Sequence, residues 1–367
     1  MIVPDSALAV GALAFILVVL LTEAMRRVAI RHRLLDQPRA DGRHSHATPY
    51  LGGVAIASGT VGAFAIATPA VDAQTLAMVG TAAVVCALGL LDDLRPLNPA
   101  PRVMVECLCA SGLVAVGVHA DVFAGAGTLG RGVDDVGTVA WIVILTNSFN
   151  LLDNMDGAAA AIALATSPFL ALLALATGRR DLAVLLIAMA AGCAGFLVHN
   201  WAPARIFMGD SGSLFLGWVL AASAVLTCAA GTAATPAPLT AAACVLLLLM
   251  FVAVVDTCTV IVSRRRAGRR WTQGGADHLA HRLQIAGLSP SSAALVLSAT
   301  AAVMGILGLV VISGIVSAAG ALAVAVAVGV NLVVLAQRVK VYGPDPQPGI
   351  ADPQAAPAPA TGFIHLM

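Results

Sequence analysis

Residues 136–157 read VGTVAWIVILTNSFNLLDNMDG. The stretch is almost wholly apolar as far as Thr146, and it then carries amides and carboxylates at three-residue intervals. A helix that crosses a bilayer needs about 20 mostly apolar residues, so the first part predicts a span near 136–152. The polar residues then stand where the predicted helix leaves the hydrocarbon core.

The same apolar pattern fills most of the chain. Of its 367 residues, 59% are hydrophobic and only 11% are charged, and the mean hydropathy is +0.94. These values exclude a soluble domain of this length and indicate a bilayer as the solvent. The sequence therefore predicts an all-α, polytopic membrane protein with about 11 transmembrane helices. The candidate spans lie near 7–27, 51–69, 74–91, 103–120, 136–152, 158–177, 182–199, 214–231, 238–262, 291–313 and 315–336.

Basic residues predict the orientation of these spans. If the N-terminus lies outside, 17 of the 20 Lys and Arg residues fall in segments on the cytoplasmic side. Cytoplasmic loops carry such an excess, so we expect the N-terminus outside and the polar loops in the cytoplasm, at the cell (inner) membrane. The net charge is only +1, which excludes the broad basic field of a nucleic-acid-binding protein.

The chain divides into a long apolar part and a short tail. Residues 1–340 are predicted to form one integral membrane domain, and residues 341–367, rich in Pro and Ala, a disordered cytoplasmic tail. The seven cysteines lie in or beside apolar runs without the spacing of metal ligands. We therefore interpret them as small buried hydrophobic residues.

A polar stripe follows the opening stretch. Asn147, Asn150, Asp153 and Asp156 recur every three residues, which would place them along one face of a helix. Polar groups are costly in a membrane helix, and they usually line a cavity or pair with one another. Two carboxylates and two amides suit hydrated Mg²⁺ and phosphate oxygens. The alternative is a polar seam between helices.

Two other acidic groups fall on the same predicted side. Asp92 and Asp93 end a span and can bind metal or hold an attacking phosphate, although a turn before Pro96 would also explain them. Asp210 follows Gly209, and the residues after it open a helix whose free N–H groups suit a phosphate. An ordinary helix cap is the other interpretation of Asp210.

A basic segment and two histidines complete the polar clusters. Arg264, Arg265 and Arg266 fit the positive-inside rule, and they also suit a clamp on the diphosphate of a donor. His278 and His281 lack further ligands at zinc spacing, which favours hydrogen bonding to phosphate or acid chemistry. Asp256 lies within a predicted span, where it either faces the same cleft or forms a buried pair.

These residues stand in four motifs that resemble those of a known family. They are LLDDL at 90–94, NSFNLLDNMDG at 147–157, HNWAPARIFMGDSGS at 199–213 and DHLAHRL at 277–283. In order and spacing they resemble the polyprenyl-phosphate N-acetylhexosamine-1-phosphate transferases of glycosyltransferase family 4, over nearly all of residues 1–340. The last motif is similar to that of the WecA-like and TagO-like branch. The segment from Asp36 to Gly53 resembles the family's first cytoplasmic loop.

The resemblance implies a role for each motif. The implied metal is Mg²⁺, with Mn²⁺ as an alternative, and its implied ligands are Asp210 and Asp156. The implied catalytic residues are Asp92, Asp93, Asp153 and Asp156. Residue chemistry and resemblance together predict these substrate-binding residues: Asn147, Asn150, Asn200, Phe207, Arg264, Arg265, Arg266, His278, His281, Arg282 and His44. Among them, Asn200 and Phe207 would line the uridine pocket.

The implied reaction transfers a sugar 1-phosphate, with N-acetylglucosamine 1-phosphate expected, from a UDP-N-acetylhexosamine to polyprenyl phosphate, and it releases UMP. It would start a cell-envelope polysaccharide such as lipopolysaccharide or teichoic acid. Membrane lipid is an expected partner, nucleic acid is not, and a homodimer is compatible with the sequence. Alternatives are a secondary transporter, a phospho-N-acetylmuramoyl-pentapeptide transferase-like enzyme and a relative without activity.

Three departures from the family pattern concern sugar specificity more than reaction class. Asn154 stands where Gly is usual, Ala280 stands where His is common, and Asp41-Gly42 stand where Arg-Lys is usual. The acidic residues are retained.

Overall fold

The computed structural model describes residues 4–36, 47–120, 122–123, 127–230, 239–270 and 274–342. Within them the chain is almost entirely helical, with one pair of two-residue strands. The elements are α1 (Pro4–Arg31), β1 (Leu35–Asp36), β2 (Thr48–Pro49), α2 (Gly52–Ala67), α3 (Ala73–Leu94), α4 (Pro99–Ala115), α5 (Gly127–Leu152), α6 (Ala158–Ala176), α7 (Arg180–Asn200), α8 (Asp210–Ala230), α9 (Leu239–Leu249), α10 (Phe251–Arg266), α11 (Leu279–Ile285), α12 (Pro290–Ile312) and α13 (Ala318–Ala336).

Eight helices of the described residues are long and apolar enough to cross a bilayer, and the number rises to nine if α9 and α10 count as one broken span. This confirms an all-α, multi-pass membrane protein. The helices α2 and α4 coincide with predicted spans but have only 16 and 17 residues. The total of eleven and the orientation stay predictions. The predicted tail lies outside the described residues from position 343 onward.

The predicted span at 238–262 differs from a straight helix. Helices α9 and α10 meet at Met250 with a bend of 78°. The sequence between 239 and 266 contains no Pro or Gly, the usual markers of a break, so the bend was not predictable from it. After the bend, α10 is hydrogen-bonded to the loop before α11 through Arg264–Asp277 and Asp256–His278.

Helix α5 begins at Gly127 rather than near 136. The structure accommodates the acidic residues at 134 and 135 in the first turns of the helix. Asp134 is buried and accepts hydrogen bonds from the backbone N–H groups of Val122 and Phe123. A buried charge that accepts several N–H bonds is tolerated, so this carboxylate does not end the helix.

Helix α8 is the centre of the bundle. In the most apolar 18-residue stretch of α8, 94% of the residues are buried, whereas in that of α13, at the periphery, only 11% are buried. Small residues allow its neighbours to approach closely. A Cβ added at Gly217 would lie 2.8 Å from the backbone of Thr146 on α5, and one added at Gly89 on α3 would lie 2.5 Å from the carbonyl oxygen of Asp210. Close backbone approach through small residues is typical of helix packing in membranes.

One end of the bundle collects the polar motifs, and we call it the polar end. Helices α3, α5 and α7 end there, and α2, α4 and α8 begin there. The loop before α8 is held against the loop before α2, because Phe207 N–H donates to the carbonyl of Pro49 at 2.8 Å and Gly52 N–H donates to the carbonyl of Phe207 at 3.0 Å. These contacts fix the loops that surround the candidate site.

Candidate active site

A cavity of about 530 Å³ opens at the polar end. Six of its lining residues are aspartates, contributed by four separate parts of the chain. Its described lining contains no Lys or Arg. The lining residues are Leu35, Asp36, Tyr50, Asp92, Asp93, Pro96, Asp153, Asn154, Met155, Asp156, Asn200, Phe207, Gly209 and Asp210. The structure therefore brings together all the predicted catalytic carboxylates, both predicted metal ligands and the two predicted uridine-pocket residues.

Asp93 holds the start of α8. Its two carboxylate oxygens accept hydrogen bonds from the backbone N–H groups of Asp210 at 2.8 Å and Ser211 at 3.1 Å. Gly209 turns the chain into the helix with φ +74°, and a Cβ there would lie 2.7 Å from Asp93. The first two N–H groups of this helix, which suggested a phosphate site, are therefore already capped by a carboxylate in this structure.

Asp92 and Asp210 share a guanidinium that sequence reasoning counted only as a topology signal. Arg102, in the first turn of α4, donates through Nη1 to Asp92 Oδ2 at 2.7 Å and to Asp210 Oδ2 at 3.0 Å. Asp92 also accepts from the backbone N–H of Leu97 at 2.6 Å, so the predicted turn is present as well. The signal for Arg102 was its place just past the Pro-rich loop that follows the aspartate pair.

Asn147 does not line the cavity; it supports Arg102 from behind. Its Oδ1 accepts from Arg102 Nη2 at 3.2 Å, and its Nδ2 donates to Glu106 and to the carbonyl of Val143. Asn150 likewise lies behind the lining, where its Nδ2 donates to Ser213 Oγ on α8 at 3.0 Å. Both predicted substrate-binding amides therefore join helices in this structure.

The predicted helical stripe breaks after its second member. Helix α5 ends at Leu152, and Asp153 and Asp156 lie in the loop that follows. Asn154 explains the helix end, because its Nδ2 donates to the carbonyls of Leu151 and Leu152 at 2.8 and 3.2 Å. The amide at this unusual position satisfies terminal carbonyls that would otherwise need another partner.

Asn200 and Asp156 join this loop to the next polar motif. Asn200 accepts from Gly157 N–H at 3.0 Å and donates to the carbonyl of Ile206 at 2.8 Å. Asp156 accepts from the N–H of Ala204 at 2.9 Å through one oxygen. The loops after α5 and α7 therefore form one hydrogen-bonded floor.

The surroundings of Asp153 raise the pKa of its carboxyl. Burial, and then the charges of Asp210 and Asp93, raise the pKa of the Asp153 carboxyl to about 8. Burial disfavours the ionised form and like charges nearby add to that effect. The cavity consequently favours bound cations, which would relieve the repulsion among its carboxylates.

A second polar cluster lies beside the cavity and contains residues that sequence analysis assigned to the donor. Arg264 forms a buried, bidentate ion pair with Asp277, with N–O distances of 3.0 and 3.1 Å. Tyr342 donates to the same carboxylate at 2.8 Å. Burial acts to raise the pKa of Asp277, but these hydrogen bonds outweigh it, so that pKa lies below its usual range.

Arg282 and His278 are also engaged inside the protein. Arg282 donates to the carbonyls of Ala336 and Val339 at 2.5 and 2.7 Å, and His278 Nδ1 lies 2.8 Å from Asp256. Asp256 therefore forms a buried pair with His278, which is the second of its two predicted arrangements, rather than facing the cleft. Both Arg264 and Arg282 are buried and hold the loop before α11, so neither lines the cavity in this geometry, and their role as a donor clamp stays a prediction.

The remaining predicted donor residues lie outside the cavity lining. Arg265 and Arg266 are exposed at the end of α10, and His281 lies with its ring 6.0 Å from that of His278. The cluster still touches the cavity wall, because Gln284 on α11 contacts the sulfur of Met155. His44 lies outside the described residues, so its predicted role stays a prediction.

The carboxylates of the cavity fit Mg²⁺ better than a metal ion that is coordinated by protein side chains alone. Among the described residues, no group of three or more His, Cys, Asp or Glu side chains is arranged to hold a metal ion. Mg²⁺ is usually bound by one or two carboxylates together with substrate phosphates and water. Asp92 and Asp210 present such a pair, since one nitrogen reaches an oxygen of each.

Comparison with known proteins adds independent information. The model of glycosyl transferase family 4 matches residues 75–228, the part that supplies most of the cavity. A Streptomyces coelicolor protein named as a glycosyltransferase is 34% identical over 343 residues, which cover 90% of this chain and 76% of that protein. The decaprenyl-phosphate N-acetylglucosaminephosphotransferase of Mycolicibacterium smegmatis is 33% identical over 78% of each chain. The phospho-N-acetylmuramoyl-pentapeptide-transferase of Moorella thermoacetica is 36% identical over 52% of this chain and 65% of its own.

Proposed function

We propose, from the premise that this chain belongs to glycosyl transferase family 4, that it moves N-acetylglucosamine 1-phosphate from UDP-N-acetylglucosamine to polyprenyl phosphate. Membership of the polyprenyl-phosphate sugar-1-phosphate transferases accounts for the general reaction. The observation that carries the proposal is the convergence of Asp92, Asp93, Asp153, Asp156 and Asp210 on one cavity at the ends of membrane helices. An acceptor whose phosphate lies at the membrane surface would meet a water-soluble donor there.

The charge of the cavity supports a metal-dependent reaction. Both substrates carry phosphates, and the negative charge of the aspartate-lined cavity alone would repel them. Bound Mg²⁺ would neutralise charge on the phosphates and on the leaving group. We expect Asp210 and Asp92 to hold the ion, since their oxygens already lie around one cation, and Asp156, which lines the same cavity, stays a further candidate ligand.

The reaction needs one bond to form and one to break. A terminal oxygen of polyprenyl phosphate bonds to the sugar-linked phosphorus of the donor, and the bond from that phosphorus to the UMP oxygen breaks. The acceptor phosphate is already largely anionic at neutral pH, so positioning and charge stabilisation are the main tasks. Asp93 orients the start of α8, and Asn200 fixes the two floor loops, so the carboxylates keep their places.

The relatives' names guide the choice of sugar. The N-acetylglucosamine enzyme of Mycolicibacterium smegmatis aligns over 78% of this chain, and the pentapeptide transferase of Moorella thermoacetica over 52%. The longer alignment favours N-acetylglucosamine, and the pentapeptide donor is the second candidate. A secondary transporter is disfavoured, because transporters usually place charged sites near the bilayer midplane between broken helices.

We further propose that the polar end faces the cytoplasm at the cell membrane. The loops of this end carry most of the basic residues of the sequence, which the positive-inside rule assigns to the cytoplasm. The donor would then be reached from the compartment in which nucleotide-sugars are made. The product, a polyprenyl-pyrophosphate sugar, would start a cell-envelope polysaccharide.

The proposal is tested with the purified full chain in detergent, polyprenyl phosphate and Mg²⁺. Release of UMP is measured with UDP-N-acetylglucosamine, UDP-N-acetylgalactosamine, UDP-glucose and UDP-N-acetylmuramoyl-pentapeptide. We expect release with UDP-N-acetylglucosamine only, and only when the lipid phosphate is present. Release with the pentapeptide donor alone would establish the second candidate, and no release with any donor would refute both.

Two matched variants connect this activity to the cavity. Asp210→Asn removes one charge from the cavity and is expected to abolish nearly all turnover while the protein stays folded in the membrane. Asp135→Asn makes the same change at the start of α5, remote from the polar end, where the carboxylate is half exposed beside His119. It should retain wild-type turnover. Equal activity of the two variants would contradict the site.

A further inference from the structure

The position of Arg102 sets a problem for any metal ion at this site. Its Nη1 lies 2.7 Å from Asp92 Oδ2 and 3.0 Å from Asp210 Oδ2. Mg²⁺ binds carboxylate oxygens at about 2.0–2.1 Å. A guanidinium nitrogen and a divalent ion that use the same two oxygens would repel each other strongly at such a short separation.

Glu106 provides a second partner for the same guanidinium. It lies one helical turn after Arg102 on α4, a spacing at which side chains meet. The side chain is fully buried (0% exposed), and its Oε1 lies 3.8 Å from Arg102 Nε. Neither of these two atoms has a hydrogen-bond partner among the described residues. The other oxygen, Oε2, accepts from Asn147, which fixes the carboxyl group in place.

We propose that Arg102 competes with a divalent metal ion for Asp92 and Asp210, and that Glu106 receives the guanidinium when the ion binds. The metal dependence in this statement rests on the proposed function; the exchange itself rests on the positions of four side chains. Arg102 is a positioning residue in this scheme. It keeps the two carboxylates together and their charges compensated until an ion arrives.

Two features make Glu106 suited to this role. A shift of less than an ångström at Arg102 Nε would convert the 3.8 Å separation into a hydrogen bond, since such bonds span about 2.7–3.2 Å. The pair would then be a buried, charge-assisted contact, which spares Arg102 the penalty of an unpaired buried charge.

The scheme predicts opposite effects for its two charged members. Arg102→Gln removes the competing cation, so the metal ion should bind about tenfold more tightly or better. Glu106→Gln removes the charge that receives Arg102, so the ion should bind about tenfold more weakly. In the Arg102→Gln background, Glu106→Gln should change the affinity less than about twofold, because no guanidinium is left to receive.

The experiment measures Mn²⁺ binding to the full-length protein in detergent, without substrates, by the loss of the EPR signal of free Mn²⁺. Competition with Mg²⁺ extends the result to the expected ion. Arg102→Lys keeps a cation at the position and should stay close to wild type. Arg95→Gln removes an exposed arginine near the same aspartates and should leave the dissociation constant unchanged. Thermal unfolding of each variant shows that it is folded.

The double-mutant cycle decides between the exchange and simpler electrostatics. If Arg102→Gln weakens Mn²⁺ binding, Arg102 helps to build the site and the proposal is wrong. If Glu106→Gln weakens binding equally in both backgrounds, Glu106 acts only through its charge and the exchange is again wrong. The readout needs no turnover. If the protein shows the predicted cycle but releases no UMP, this inference stands and the proposed function is wrong. If it releases UMP but does not show the cycle, the proposed function stands and this inference is wrong.

Discussion

Substitution of Arg264 tests whether this arginine stabilises the loop before α11 or contacts the donor directly. Its guanidinium makes two hydrogen bonds to Asp277, and the side chains are 2% and 0% exposed. Arg264→Gln leaves the carboxylate buried with only the Tyr342 hydroxyl donating to it from a side chain. Removal of one partner of a buried ion pair costs about 3–5 kcal/mol.

The cost can be converted into a change of melting temperature. Unfolding entropy of about 2.1 cal/mol/K per residue, over the 367 residues of the chain, amounts to about 0.8 kcal/mol/K. Arg264→Gln should therefore lower Tm by about 4–6 °C. Arg265→Gln is the matched control, because the neighbouring arginine is exposed and should change Tm by no more than about 1 °C.

The assay is tryptophan-fluorescence unfolding of the purified protein without substrates, followed by the KM for the UDP-sugar. We expect the Tm change in the absence of donor, since the ion pair is internal. If Arg264→Gln left Tm unchanged and raised only the KM, Arg264 would contact the donor and the structural interpretation would be wrong.

Three further predictions concern the packing and charge of the site. Asp93→Ala removes the cap of α8 and should lower the free energy of unfolding by about 0.5–2 kcal/mol, measured by chemical denaturation in detergent. Gly89→Ala introduces a Cβ against the backbone of Asp210 and should abolish UMP release, whereas Gly80→Ala on the same helix meets no atom within 4 Å and should retain it. Because the pKa of Asp277 is lowered on folding, its stabilisation is full above its unfolded pKa and is lost as the pH falls through the folded value. The difference in Tm between wild type and Asp277→Asn should therefore shrink as the pH falls from about 6 towards 3, and a constant difference would contradict this sign.

Periodicity and composition predicted the parts of the fold that depend on local sequence. Apolar runs of about 20 residues located the helices. The carboxylates of the motifs line one cavity in the structure, and their catalytic and metal-binding roles stay predictions. Helix α5 begins earlier than expected, at Gly127, because the apolar run that predicted it starts only near 136. The buried Asp134 before this run is compensated by the backbone N–H groups of Val122 and Phe123. The bend at Met250 has no signal in the nearby sequence.

The structure places predicted site residues in the cavity lining where they share a loop, and it places others behind the lining where their partners come from other helices. Asp153 and Asp156 line the cavity, whereas Asn147 holds a side chain on α4. Arg102 was overlooked because a basic residue beside a predicted loop has an ordinary explanation in topology. Similarly, the exposure of an arginine cannot be read from its position in the sequence, and Arg264 proved to be buried while Arg265 is exposed.

The reaction itself is tested most directly by ³¹P NMR of the purified protein with UDP-N-acetylglucosamine, polyprenyl phosphate and Mg²⁺. We expect the signals of UMP and of a lipid pyrophosphate to grow in equal amounts, and both to stop growing when Mg²⁺ is chelated. UMP without lipid pyrophosphate, or product formation that continues after chelation, would contradict this expectation.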